Sequence, residues 1–433
     1  MNTIKQLAKR IFQYEARLIL RKYKPKIIAI SGSVGKTSTR EALYLVLSKK
    51  FFVRKSEKSF TAELGVPLAI IGCTQGTGST FQWILNVLQG FEMIIFKTHY
   101  PDFLILEIDA DKPGDLYGLS TWLHPDMLVA TAVGDVPAHV ELFGTVDELL
   151  AEKKYLLDSV SRDGCIVYNS DDQTVSHVVQ NTELKKISCG IFGESNVRGS
   201  VFNILYAKTS TGSVPTGMRF EIKSESNTEV VTVMDSLGEH NEYAMLLAIG
   251  AGQELGISLS DCISAFKSYV SLPGRMNIIS GLQSTVIIDD SYNASPIAMR
   301  QALHVFQSIT GSSRKIVVLG DMLELGKYSA DEHKKIANQL QGIAEYVICV
   351  GIRSRGIVDE LLSMGFPESN IMHVDTAEKA GGELQNMLRT GDSVLVKGSQ
   401  AMRMERVVEE VMRHPEDKAK LLVRQEPEWL LRD

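Results

Sequence analysis

Lys26-Ile-Ile-Ala-Ile-Ser-Gly-Ser-Val-Gly-Lys-Thr-Ser38 sets how the rest of the 433-residue chain is read. An Ile-rich apolar run leads at once into a loop with two glycines, and a helical pattern follows to Leu47: buried strand, glycine loop, helix. In that order, backbone N–H groups and the positive end of the helix wrap phosphate oxygens. Gly32, Ser33, Gly35, Lys36, Thr37 and Ser38 are therefore the candidate phosphate-binding residues, with Lys36 against the outer phosphates and the Thr37 hydroxyl placed for Mg²⁺. A strict P-loop pattern requires glycine where this chain has Ile30. The strand before and the helix after carry the reading instead.

Working outward, apolar runs at 102–108 and 127–133 read as parallel neighbours of that strand, which makes an α/β nucleotide-binding core. Glu107 ends the first run, and His139 follows the second within Gly134-Asp-Val-Pro-Ala-His-Val-Glu141. Carboxyl ends of neighbouring parallel strands open on one crevice, so both side chains can reach ions beside the phosphates. Alone, a strand-end carboxylate is more often solvated and a lone histidine more often structural. Short alternating segments from about 186 to 233 predict hairpins. Ser271-Leu-Pro-Gly-Arg275 breaks the texture, and a second α/β unit follows, with strands expected at 285–288, 315–319, 346–350 and 393–396 in an open parallel sheet. The expected division is an N-terminal helix over 1–24, a central domain over 25–273 and a C-terminal Rossmann-like domain over 274–433.

Composition narrows the function classes. A net charge of −6 provides no global positive field for nucleic acid. The five cysteines are scattered and lack any C-x-x-C spacing, so neither a disulfide framework nor a zinc ribbon is expected, and a reducing cytoplasm fits. Met1 to Lys24 is a basic amphipathic helix pattern without a secretory cleavage site. Trp83 to Phe96 is apolar but interrupted by Asn86, Gln89, Gly90 and Glu92, so no transmembrane segment is expected. It reads as a buried or partner-facing helix rather than a membrane-surface one, because its polar face lacks Lys and Arg before Lys97.

Further stretches extend the pattern: Glu107-Ile-Asp-Ala-Asp-Lys-Pro-Gly114, Gly238-Glu-His-Asn241, Pro273-Gly-Arg-Met276, Asp289-Asp-Ser-Tyr-Asn-Ala-Ser-Pro296, Leu319-Gly-Asp-Met-Leu-Glu-Leu-Gly326 and Val396-Lys-Gly-Ser399. In this order they resemble the Mur ligases, most closely the MurF type, which adds D-alanyl-D-alanine to a UDP-N-acetylmuramoyl tripeptide. The resemblance runs from about Lys26 to Met404. It implies an ATP-dependent amide-bond ligase working through an acyl-phosphate, with small-molecule acid and amine substrates. It also implies two Mg²⁺ ions, one held by Thr37 and Glu107 and a second by His139 and a carbamylated Lys153. Without the family, Lys153 reads as part of a solvated helix face. Asn241, with His240 beside it, matches the adenine side, while Arg275 and Asp290 match residues that clasp phosphates and ribose. Lys36, His139, Lys153 and Arg275 become the candidate catalytic residues, and Tyr292, Asn293, Lys397 and Ser399 the candidate substrate contacts. Asp321 and Glu324 are expected to shape the cleft.

Several positions depart from the family. Only about two dozen residues precede the phosphate-loop strand, so the family's N-terminal uridine-nucleotide domain is not expected. Asp109 and Asp111 stand where the family has Gly and Asn, Thr61-Ala62 where Asn is usual, and Ala132 replaces another Asn. Asp135 and Val136 lengthen the loop before His139. These changes leave the ATP machinery whole and keep open a related ligase acting on a non-UDP substrate, such as a polyglutamate, aspartate or natural-product amide, or a non-catalytic ATP-binding module.

Overall fold

Strand Lys26–Ser31 hydrogen-bonds in parallel to Phe103–Asp109 on one side and Met127–Ala130 on the other. Ile27, Ile28, Ala29 and Ile30 are all buried. Each buried Ile contributes roughly 1.5–3 kcal/mol, so the strand holds the phosphate loop on a rigid base. The computed structural model describes residues 2–56, 60–61, 64–73, 80–209 and 212–430.

Among the described residues the larger sheet has eleven strands. Its parallel part runs Val53–Lys55, Phe103–Asp109, Lys26–Ser31, Met127–Ala130, Cys165–Asn169, Lys185–Gly190 and Val197–Gly199. Phe60–Thr61 adds to Phe103–Asp109 at its carboxyl end. Antiparallel strands Asn203–Thr209, Gly212–Ser224 and Asn227–Met234 complete it. Helix Lys36–Leu47 packs against Glu239–Glu254, which is buried nearly all round.

The second sheet has six strands in the order Asn277–Ser280, Val286–Asp290, Ser393–Lys397, Lys315–Gly320, Tyr346–Val350 and Ile371–Val374. All pairings are parallel except that of the Asn277–Ser280 edge. Asp290 and Lys397 are register partners at adjacent strand ends.

Some expectations need correction. The hairpin region begins later than 186, because helix Gln173–Gln180 makes a crossover that brings Lys185–Gly190 into the parallel sheet. The strand expected to reach Val133 ends at Ala130, since the Ala132 carbonyl turns to accept the N–H groups of Ser33 at 2.7 Å and Val34 at 3.0 Å. Val53–Lys55, Cys165–Asn169, Asn277–Ser280 and Ile371–Val374 are strands that the pattern did not announce. Trp83–Phe96 is not buried as a whole: helix Thr80–Ile95 packs one side on helix Asn2–Tyr23, with Phe12 and Trp83 rings 5.7 Å apart, and leaves the other side open. Around Thr61-Ala62, residues 57–59, 62 and 63 lie outside the described residues, as do 74–79 ahead of helix Thr80–Ile95. Among the described residues no helix is long and apolar enough to cross a membrane, and all five cysteines are free and buried.

Candidate active site

The strand enters the phosphate loop through Gly32, which adopts φ 148° with Thr131 pressed against it. A Cβ at this position would lie 2.0 Å from Thr131 Oγ1, so no other residue fits without displacing the neighbouring strand. Gly35, at φ 85°, precedes helix Lys36–Leu47 and supplies no side-chain cap. The first-turn N–H groups of that helix have no intrahelical acceptor and point into the cleft, where an anion satisfies them. Ser33 Oγ is buried there without a partner.

Two lysines converge behind the loop. Lys36 Nζ donates to the Gly32 carbonyl at 2.9 Å and pairs with Asp109 at 2.7 Å. Lys153 Nζ, from helix Val146–Asp158, reaches the same two residues at 3.2 and 3.0 Å. Burial opposes charge on Asp109, yet Lys153, Lys36 and His139 outweigh it and hold the carboxyl well below its usual range. Burial and the nearby Lys36 cation depress Lys153 below an ordinary lysine, partly offset by Asp109. Lys153 is thus no solvated helix face: its side chain is 11% exposed, and it turns inward to the phosphate loop.

Thr37 Oγ1 donates to Glu107 Oε1 at 3.0 Å, and Arg40 holds the other Glu107 oxygen at 3.2 Å. His139 sits at φ 68°, with Nε2 4.0 Å from Asp109 and Nδ1 paired to Glu324. That hydrogen bond lowers the Glu324 carboxyl. Glu324 belongs to the other half of the molecule, so His139 touches both.

Arg275 crosses in the opposite sense. Its guanidinium donates to Thr37 Oγ1 at 3.1 Å and lies 4.1 Å from the Tyr292 ring centroid. Lys397 Nζ, almost wholly buried, pairs with Asp290 at 2.6 Å and donates to the Asn293 carbonyl at 2.9 Å. Asn293 Oδ1 accepts from Gln400 N at 3.1 Å. Between the halves lies a cleft of about 820 Å³, whose walls include Ser33, Gly35, Lys36, Thr37, Glu107, His139, Arg275, Asp290, Tyr292, Asn293 and Lys397.

Not every expected residue faces this space. Asn241 is fully buried: its amide donates to Ser236 Oγ at 2.9 Å and to the Leu237 carbonyl at 3.1 Å, and its oxygen accepts from Tyr269 at 2.8 Å. The preceding residue, His240, lines the cleft instead and has an unpartnered Nε2. Burial, with Arg275 and Lys397 nearby, pushes its imidazole down to about 4, so it enters the cleft neutral. Ser399 is also turned away, its hydroxyl accepting from Leu323 N at 2.8 Å to tie two loops together. Ser38 is buried under the loop. Asp321 accepts from Ser354 N at 2.7 Å, which fixes a neighbouring turn.

Sequence reasoning named His240 only as the neighbour of Asn241, and it missed Arg40, Asp109 as a shared counter-charge, and the tail residues Arg424 and Trp429 on the cleft wall. The tail carried one usable signal, an Arg and a Trp close together in a chain with three Trp. Arg424 is anchored by Glu405 at 2.8 Å and lies 5.7 Å from the Tyr292 ring centroid.

A phosphate loop facing a second α/β unit across a cleft has counterparts among known proteins. The profile of the Mur ligase middle domain matches residues 30–252, just over half of the chain. The chain belongs to the Mur ligase family. The Mur ligase, glutamate ligase domain profile matches residues 274–400, and the protein is an ATP-dependent ligase of this family. The UDP-N-acetylmuramoyl-tripeptide--D-alanyl-D-alanine ligase of Bacillus subtilis is 25% identical over 404 residues, covering 93% of this chain and 79% of the relative. The ligase of that name from Rickettsia prowazekii is 24% identical over 391 residues, covering 89% and 78%. The MurF ligase of Thermotoga maritima in complex with ADP superimposes with a TM-score of 0.73 at 23% identity, covering 95% of this chain and 84% of that one. FolC of E. coli superimposes at 0.60 with 17% identity, covering 92% of each chain. At these identities the two structures establish the fold.

Proposed function

We propose that the protein joins an amino acid or dipeptide to a substrate carboxylate, as the MurF-type ligases of peptidoglycan precursor synthesis do. One observation carries the reading: Arg275 of the second unit reaches Thr37 of the phosphate loop at 3.1 Å, so both halves meet where a γ-phosphate would lie. Lys36, the loop N–H groups and Arg275 stabilise the charge of a transferring phosphoryl group. A substrate carboxylate oxygen attacks that phosphorus, ADP leaves, and the amine then displaces phosphate from the acyl-phosphate. Closure of the two units over the cleft would keep water from the acyl-phosphate.

The residues fit Mg²⁺ in a particular way. Thr37 and Glu107 present oxygens to the same point, while among the described residues no three His, Cys, Asp or Glu side chains gather as a metal cage. Few protein oxygens completed by phosphate and water is how Mg²⁺ is held beside nucleotides. Bound there, the ion would screen the repulsion between carboxylate and phosphates. His139 and Lys153 are the residues to which the resemblance assigns a second ion, and burial with Lys36 nearby lowers the Lys153 amine, the direction that eases uptake of CO₂ as a carbamate. We assign adenine-side recognition to His240 rather than Asn241, ribose and phosphate contacts to Asp290 and Arg275, and amine-substrate contacts to Tyr292, Asn293 and Lys397. The division near residue 274 serves as the hinge between the units. The test is ATP turnover with Mg²⁺ and paired acids and amines: phosphate release should require both partners, and release without an amine points to an ATP-hydrolysing module instead.

A further inference from the structure

Helix Thr80–Ile95 leaves one side uncovered. Phe81, Ile84, Leu88, Phe91 and Ile95 recur at spacings of three and four, which places them in one stripe, and Phe96 prolongs it. These six side chains are 47% to 69% exposed. A helix on a globular protein normally turns such a stripe inward. Here the inward side is filled separately, by Asn86, Gly90 and Met93 against helix Asn2–Tyr23. Gln89 and Glu92 are the exposed polar residues beside the stripe. A continuous apolar strip of this size marks an interaction surface.

The neighbouring helix supplies the charge. Between Lys5 and Lys24 the chain has seven Lys or Arg residues and one acid, Glu15, which is buried, although the protein as a whole carries −6. Arg10, Arg17, Arg21, Lys22 and Lys24 are exposed. Lys22 Nζ donates to the carbonyls of Met93 at 2.9 Å, Ile94 at 3.0 Å and Phe96 at 2.6 Å, which fixes a cation at the end of the apolar stripe, with exposed Lys97 next to it. Strand Lys26–Ser31 starts at this end and finishes at the phosphate loop, so the basic end and the cleft lie at opposite ends of the same strand.

We propose that this surface docks on an anionic lipid membrane, with the stripe of helix Thr80–Ile95 sunk to the headgroup boundary and the basic helix over the headgroups. The helix has 16 residues, fewer than the roughly 20 needed to cross a bilayer, so it lies on the surface. Self-pairing of two copies through this face would bring two basic helices together with Glu92 as the one exposed acid that each copy's two helices offer. An extended anionic surface satisfies both features at once. The reading is independent of the ligase substrates, because docking at this end leaves the cleft open to solution.

The test uses the full chain, pelleted with vesicles of phosphatidylglycerol and phosphatidylcholine or of phosphatidylcholine alone. Anionic vesicles should bind at least roughly tenfold better, and Arg21→Gln should weaken binding about fivefold. Leu88→Ser combined with Ile95→Ser should abolish pelleting while thermal melting and nucleotide binding stay unchanged. Absence of pelleting with anionic vesicles, or undiminished pelleting of the double variant, overturns the proposal. So does a dimer in sedimentation velocity that the double variant dissociates while vesicles are ignored, since the face would then belong to self-association.

Discussion

At the cleft end of the larger sheet the buried charges of Lys36, Lys153, Arg40, Asp109 and Glu107 are paired, whereas Glu15 in the outer helical layer, like Glu242 in the buried helix Glu239–Glu254, has no hydrogen-bond partner. Lys36 and Lys153 share Asp109, and Arg40 holds Glu107. Glu15, fully buried in helix Asn2–Tyr23, presses both oxygens toward Gly90 without a hydrogen bond, and burial raises its carboxyl to about 7. The difference separates two uses of burial. In the cleft it concentrates positive charge around a space for a polyanion, with Asp109 as the counter-charge until one arrives. In the helical layer it only disfavours ionisation.

Four variants can break or sharpen that contrast. Lys36→Ala should lower ligation by at least about 10³-fold with little change in melting, if the lysine stabilises developing phosphoryl charge; steady-state phosphate release checks it. Asp109→Asn should cost about 3 kcal/mol of stability, because two buried lysines lose their common partner, and an ATP analogue should restore part of it; chemical denaturation with and without the analogue reads both. Arg275→Ala should reduce ligation about 10²-fold, with the loss mainly in kcat if its contact forms in the closed cleft. The smallest change is expected from Glu15→Gln. The Glu15 carboxyl keeps its proton to higher pH in the folded chain than in the unfolded one, so stability attributable to it falls as pH rises from about 4.5 toward 7. Removing the charge should flatten that slope and stabilise the protein at pH 8 by up to about 2 kcal/mol, as followed by melting across the pH series.

What could be read from the chain follows the range of the interactions involved. The phosphate loop depends on neighbours in sequence, and its strand, glycines and helix were legible together. Val53–Lys55 and Ile371–Val374 are short, and they form strands only because longer strands offer them partners. Asn241 and His240 show the limit of matching motifs: one residue's shift along a helix exchanges core for cleft, and only packing decides which side chain the cleft receives. Asp109 was visible as an acidic departure, but its role needed Lys153 to fold back across the sheet. The basic pattern of Met1 to Lys24 was legible, but its place beside the apolar helix was not, because the two helices are far apart in sequence and only packing joins them.

The central claim is that a carboxylate oxygen attacks the γ-phosphate in this cleft. The most direct measurement supplies UDP-N-acetylmuramoyl tripeptide, ¹⁸O-labelled in the accepting carboxylate, with D-alanyl-D-alanine, ATP and Mg²⁺, and analyses the released phosphate by mass. Transfer of one labelled oxygen into inorganic phosphate, with ADP as the other product, is the predicted result. Condensed product formed with unlabelled phosphate, or with AMP in place of ADP, would contradict the account.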